Sequence, residues 1–365
     1  MKTLLFTLEF PPFNGGVANY YGHLASYWPI EEQLVVLNNN QGELLYSQGM
    51  FAWRKAFWAL DRRVKKGQID YVLVGQILPL GTVAWFLSFF RPLPYAVFLH
   101  GLDFSSALAS WRKKLLARLI LSRADKIICA NSYVASKVNE FYEAGKGKLS
   151  IVNPGILSGV PHVSPGELAN LDQEYGIANK TIIFSLGRLV RRKGVDQAIK
   201  AITTIPEPLI NNIRYFIAGI GPEEEYLRRL IPPKYKQNII FLGSLTEIEK
   251  WLWLNRTDIF LMPARDIAGD FEGFGIVYLE ANLCGKPVIA GRAGGVSDAV
   301  VDGQTGLMVD PENIEDIKRA VLELVNDPER RNQLGKQGQT RALVEFNWEK
   351  QVAKVASILF FDNES

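Results

Sequence analysis

Cysteine and histidine are scarce, with two and three copies in 365 residues. Cys129 and Cys284 stand far apart and share no metal-ligand spacing. That argues against a disulfide framework or a Cys/His metal site, and both read as buried small hydrophobes of a reduced, intracellular chain. Long hydrophobic runs are missing too. The longest apolar stretch, residues 78–90, contains Pro79 and Gly81 and is too short to span a bilayer, so a core or interface helix is expected there. The first apolar run, residues 3–8, is shorter than a secretory h-region and meets Glu9 and a Pro-Pro pair, so no signal peptide is expected. The dinucleotide fingerprint is absent. Asn14-Gly15-Gly16-Val17 lacks its third glycine, and Gly219-Ile220-Gly221 is followed by Glu224 where that glycine belongs, which argues against an NAD-dependent oxidoreductase. There is no Asp-x-Asp and no His/Asp cluster with ligand spacing, so no metal site is expected. No nucleic-acid recognition motif accompanies the basic residues.

What is present is the composition of a folded protein, 48% apolar and 22% charged, long enough for two domains. Short β-branched and aliphatic runs alternate with helix-length segments. The first half has them at 3–8, 33–37, 71–74, 95–99 and 126–130, and the second at 181–186, 214–218, 238–242, 258–262 and 287–290. Continuous apolar strands separated by helices read as βαβ units around buried parallel sheets. Two series of five predict an α/β protein of two doubly wound, Rossmann-like domains. The division is expected after Asn153-Pro154-Gly155, in a Gly-, Pro- and Ser-rich linker reaching about Gly166. That gives domains at 1–155 and 156–345, with a final helical segment from 346 to 365. Residues 1–155 carry 17 Lys+Arg against 10 Asp+Glu, and the remainder 24 against 28, so the first half is expected to face something anionic.

The most informative stretch is Phe271-Glu272-Gly273-Phe274-Gly275-Ile276-Val277-Tyr278-Leu279-Glu280. It follows the run at 258–262 and opens an apolar-periodic helix. Glycines there let backbone approach a ligand, the helix start offers free N–H groups to a phosphate, and the two carboxylates can accept hydrogen bonds from hydroxyls. One helix running from Glu272 to Glu280 would hold them roughly 12 Å apart, too far for the acid–base pair of a glycosidase. Gly187-Arg188-Leu189-Val190-Arg191-Arg192-Lys193-Gly194 follows the run at 181–186, and cations at a strand end suit a diphosphate. Gly15-Gly16 makes a glycine turn before a helix, and His100-Gly101-Leu102-Asp103 places His100 at a strand edge.

In this order the motifs resemble glycosyltransferase family 4, the retaining GT-B group, along nearly the whole chain. Glu272-x7-Glu280 is similar to its two-glutamate motif, Arg188 and Lys193 to its diphosphate clamp, Gly15-Gly16 to its glycine loop and His100-Gly101 to its His-Gly. The stretches Pro287 to Gly295 and Asp302 to Leu307 complete the set, and the run from Gly275 to Ala281 looks closest to the phosphatidylinositol mannosyltransferase branch. The resemblance implies two domains facing a cleft, with the C-terminal helix crossing back onto the first. It implies that Gly16, Arg188 and Lys193 hold the donor diphosphate, with Gly15 beside them. Glu272, with the amides of Gly273, Phe274, Gly275 and Ile276, would bind the donor sugar. Glu280 would take the ribose, and His100 would contact the sugar near the reacting centre. No cofactor or divalent metal is implied, only a nucleotide-diphosphate sugar (GDP-mannose in that branch) and a glycan or lipid-linked acceptor. Two alternatives stay open here, a sugar-nucleotide epimerase of the same fold and a catalytically silent binding subunit. Arg265, Asp266 and Asp270 add charge ahead of the motif, and a reshaping of donor-sugar selection is expected from them. Residues 51–66 and 111–126 combine cations with Trp53, Phe57, Leu60 and Val64, and with Leu115, Leu116 and Leu119, the composition of interfacial helices. The expected location is cytoplasmic, with peripheral contact at the anionic inner face of the cytoplasmic membrane.

Overall fold

A computed structural model describes residues 1–13, 15–29, 32–45, 53–67, 69–143, 147–157 and 159–360. Asn14 of the glycine turn, Phe51 of the first basic segment and residues 361–365 of the final one lie outside these. The chain forms two compact units, one of residues 1–155 with the segment from Trp348 onward, the other of residues 156–347.

The first unit holds a parallel sheet of β1 (Lys2–Phe6), β2 (Gln33–Leu37), β3 (Tyr71–Val74), β4 (Tyr95–Leu99), β5 (Lys126–Cys129) and β6 (Leu149–Ile151), in the order β2-β1-β3-β4-β5-β6. The second repeats the plan with β7 (Thr181–Leu186), β8 (Ile213–Ala218), β9 (Ile239–Gly243), β10 (Ile259–Met262), β11 (Val288–Gly291) and β12 (Gly306–Val309), in the order β12-β11-β10-β7-β8-β9. Each sheet reverses its winding once, between β1 and β3 and between β7 and β10. At such a point the strand-end loops diverge and leave room for a ligand. In the second unit Ile182 and Phe184 belong to one apolar cluster while Ile183 belongs to another, so both faces of the sheet are covered and the strands read as unbroken apolar runs.

Among the described residues each sheet has six strands where five were expected. β6 has three half-exposed or exposed residues, and β12 opens on Gly306 after a tight turn. Neither has the apolar length of a strand by itself, and each forms at an edge by pairing with a neighbour. The linker is also shorter than expected. Ser164 caps a helix, Pro165–Tyr175, through a reciprocal capping box with Glu167, and Pro165 occupies its first turn. The helix Trp348–Phe360 packs on the first unit, its Trp348 ring stacked on His23 with centroids 4.9 Å apart. Gly155 lies against that indole, and Phe346 stays in the second unit beside Phe274. Among the described residues no helix is long and apolar enough to cross a membrane. Within residues 78–90 the structure places the helix Thr82–Leu87, with Val83, Ala84 and Leu87 buried. Cys129 is buried, whereas Cys284 is only partly covered.

Candidate active site

In the second unit the cations converge on the switch point. After β7 the chain makes one helical turn, Arg191–Lys193, and leaves it at Gly194 with φ of 71°. A Cβ on Gly194 would lie 1.9 Å from the Pro263 carbonyl oxygen, so only glycine lets this loop rest on the end of β10. Lys193 Nζ is then 2.6 Å from Glu272 Oε2, with both side chains about nine-tenths buried. Arg192 Nε lies 3.9 Å from the same oxygen and 3.6 Å from Asp270 Oδ1. Arg188 is exposed and makes no ion pair among the described residues, which leaves its guanidinium available to an anion. Arg191 pairs at 3.4 Å with Glu223 while itself largely in water, a contact of little energetic weight.

Glu272 stands in a loop, and the helix Ile276–Leu283 begins four residues later, so the continuous helix considered between Glu272 and Glu280 does not exist. Gly275 enters the helix with φ of 80°, where the Tyr278 ring would meet a Cβ at 2.4 Å. Tyr278 Oη donates to the Met262 carbonyl at 2.7 Å, tying the helix start to β10. Gly295 N donates to the Glu272 carbonyl at 3.0 Å, so the Gly294-Gly295 motif holds the carboxylate loop from behind. Glu280 accepts from Lys250 Nζ at 2.8 Å. Burial opposes the ammonium of Lys250, but Glu280 and Glu247 outweigh it and raise its pKa.

Of the added charge at residues 264–270, Asp270 reaches Arg192. Arg265 turns inward, both Nη2 contacts to the Asp196 carboxylate measuring 3.0 Å, and its Nε donates to the Arg191 carbonyl at 3.0 Å. Asp266 accepts from Gly269 N within its own turn. A guanidinium so close to a buried carboxylate is drawn inside, which makes Arg265 a brace for the loop carrying Lys193.

In the first unit the helix Gly16–Ser26 starts at the glycine turn, and Asn19 N is bonded to Gly15 O, so the amides of Gly16, Val17 and Ala18 precede the helical ladder. A Cβ on Gly16 would meet nothing within 4 Å. His100, at the end of β4, has its Nε2 2.8 Å from Tyr21 Oη, and burial pushes its pKa down to about 3. The Asp103 Oδ1 accepts from the amides of His100 and Gly101 at 3.0 and 2.9 Å, while its Oδ2 is buried without a partner.

Burial raises the Asp103 pKa to about 6 against an unfolded value near 3.8, its backbone hydrogen bonds compensating only in part. A raised carboxyl pKa stabilises the fold fully below the unfolded value, and that stabilisation is lost as pH climbs through the folded one. From pH 4 to pH 7.5, Asp103→Asn should therefore gain on the wild type by on the order of 3 kcal/mol in denaturant titrations. A stability difference that does not change with pH would count against this titration.

Three residues of these networks had no signal in the sequence that assigned them a role: Tyr21, Lys250 and Asp196. Only the fold brings each beside its partner.

Two family models match, "Glycosyltransferase Family 4" over residues 15–157 and "Glycosyl transferases group 1" over residues 169–341. A GDP-mannose-dependent alpha-(1-6)-phosphatidylinositol monomannoside mannosyltransferase of Mycolicibacterium smegmatis is 28% identical, with 98% of this chain and 97% of the relative covered. A monoacylated-acceptor counterpart of Corynebacterium glutamicum is also 28% identical, with the same coverage. Among solved structures, a glycosyltransferase of Rickettsia africae superimposes with a TM-score of 0.81 at 16% identity, covering 98% of this chain and 97% of its own. Anabaena HepE in complex with UDP does so with a TM-score of 0.78 at 20% identity, covering 98% and 99%.

Proposed function

The chain belongs to glycosyltransferase family 4 and is a hexosyltransferase of GT-B fold, and on that footing we propose that it transfers mannose from GDP-mannose, with retention of configuration and without a divalent metal, to a lipid-linked acceptor. The observation that carries the reading is the group at the second unit's switch point, where Lys193 and Arg192 meet Glu272 and Glu280 stands nearby in sequence on the helix that follows. The 28% identity to GDP-mannose-dependent enzymes over nearly the full chain supports the donor.

In this reading Arg188, Lys193 and the amides after Gly15 hold the diphosphate and take up its charge as the bond from the sugar's anomeric carbon to the phosphate oxygen breaks. The acceptor hydroxyl forms the new bond on the same face, and its proton passes to the departing phosphate oxygen. Glu272 and the amides from Gly273 to Ile276 orient the sugar, Glu280 accepts from the ribose, and neutral His100 contacts a sugar hydroxyl. Cations that already neutralise the leaving group leave little for a metal to add. For the lipid, the helix Trp111–Arg123 supports the reading. It buries Ala117, Ile120 and Leu121 and exposes Trp111, Leu115 and Leu119 beside Arg112, Lys113, Lys114 and Arg118. The helix Arg54–Gly67 fits less well than its composition implied, because Ala56 and Leu60 are buried and Phe57 packs on Phe86.

The test is a donor screen with EDTA present, by calorimetry and nucleotide release, against GDP-mannose and the common UDP- and ADP-sugars. GDP-mannose should bind best, Glu280→Ala should weaken it about 10-fold or more, and the product should be the α-anomer by NMR. Preference for a UDP-sugar, abolition by EDTA or a β-linked product would each refute the part it addresses. Failure to sediment with anionic vesicles at low salt would remove the lipid-surface part.

A further inference from the structure

Tyr21 has a single hydroxyl proton, and two groups sit within hydrogen-bond distance of its oxygen. One is the Gly75 carbonyl at 2.6 Å, which can only accept. The other is His100 Nε2 at 2.8 Å. If Tyr21 donates to Gly75, as the shorter contact requires, the proton in the second bond must come from the imidazole. We propose that Tyr21 is a positioning residue that fixes His100 as the Nε2–H tautomer and leaves Nδ1 as an acceptor for one hydroxyl of the donor hexose.

Four further observations support this. Tyr21 is fully buried and its phenol is held well above its ordinary pKa, chiefly by that burial, so it remains a neutral donor. The imidazole cannot turn to exchange its nitrogens freely, since Phe98 stacks on it at 5.1 Å and Tyr20 and Tyr21 meet it edge-on at 5.1 and 5.2 Å. A Cβ on Gly75 would come within 2.9 Å of Thr7 and 3.0 Å of the Tyr21 ring, so the bare glycine keeps its carbonyl within reach of Oη. His100 Nδ1 meets no hydrogen-bond partner among the described residues. An imidazole nitrogen with a lone pair accepts from hydroxyls and cannot donate to phosphate or carbonyl oxygens, so this contact reads a sugar hydroxyl and not the diphosphate.

The inference rests on the reading of His100 as a sugar contact, but its main test does not depend on transfer. The chain has three histidines, so ¹⁵N-histidine labelling with long-range ¹H–¹⁵N correlation, and His100→Gln to assign the signals, reads the tautomer directly. His100 should appear as the neutral Nε2–H form between pH 5 and 9, and Tyr21→Phe should convert it to a mixture or to the other tautomer. With the best donor from the screen, Tyr21→Phe should lower kcat/KM about 5- to 10-fold. Binding of the free nucleoside diphosphate should not change. Discrimination against a deoxy-sugar donor lacking the contacted hydroxyl should fall by a similar factor. An Nδ1–H tautomer in the wild type overturns the proposal, and this arm decides even where Tyr21→Phe does not fold. An Nε2–H tautomer unaffected by Tyr21→Phe removes the role of Tyr21. The expected tautomer with no effect on sugar discrimination removes the link to the hexose.

Discussion

Lys193→Ala should lower kcat on the order of 10²- to 10³-fold while the second unit stays folded. In the proposed reading the ammonium takes up charge developing on the diphosphate leaving group, and it lies in a place that little water reaches, since its side chain is only 11% exposed. Preorganised cations in such surroundings are worth about 3–4 kcal/mol to the transition state. Removing the ammonium also leaves the buried Glu272 carboxylate with Arg192, 3.9 Å away, as its remaining cation, so a stability loss of about 3–5 kcal/mol should accompany the rate loss and the kinetics are read well below the variant's melt. Lys193→Arg should not restore full rate, as a forked guanidinium does not fit the same narrow space as an ammonium. Single-turnover transfer, with a thermal melt beside it, measures both halves. A variant with wild-type kcat would end the assignment of Lys193 to the leaving group.

Arg265→Ala should destabilise the second unit by about 3–5 kcal/mol, the usual cost of leaving one member of a buried ion pair alone. Asp196 is 7% exposed and Arg265 9%. Once the guanidinium is gone, the nearest cation to Asp196 is Lys200 at 3.9 Å, itself partly in water. The same guanidinium bonds the Arg191 carbonyl at 3.0 Å, so the loop presenting Lys193 loses that brace, while the backbone bond from the Arg265 amide to the Arg192 carbonyl survives in alanine. In a unit of this size the transition should fall by roughly 10 °C, and activity should drop even at temperatures where the variant remains folded. Arg265→Lys should recover little, since one ammonium cannot make the paired contact to Asp196 and still reach Arg191. A melt within a degree or two of wild type would show the pair to be dispensable.

Much of the architecture was legible because parallel strands buried on both faces leave a plain mark. The runs at 33–37, 71–74, 95–99 and 181–186 match β2, β3, β4 and β7 residue for residue. β6 and β12 were not legible, because an edge strand draws its order from the neighbour it pairs with. Ser164-Pro165-Gly166-Glu167 was a helix start in plain sight, and its glycine and proline made it resemble a linker. On the helix Glu247–Arg256, the Thr246–Glu249 capping box was equally readable, but nothing local tells that Lys250 on that helix faces Glu280.

The sequence by itself determined every described strand except β6 and β12, and which loops carry glycines, cations and carboxylates, since those depend on local pattern and on the conformations glycine alone allows. The tertiary structure decided the partners. Lys193 with Glu272, Lys250 with Glu280, Arg265 with Asp196 and His100 with Tyr21 are all pairings between separate elements, 79 residues apart in the last case. Strand order sets such pairings. The winding of each sheet brings strand-end loops together across its switch point, and spacing along the chain carries no record of which loops will meet.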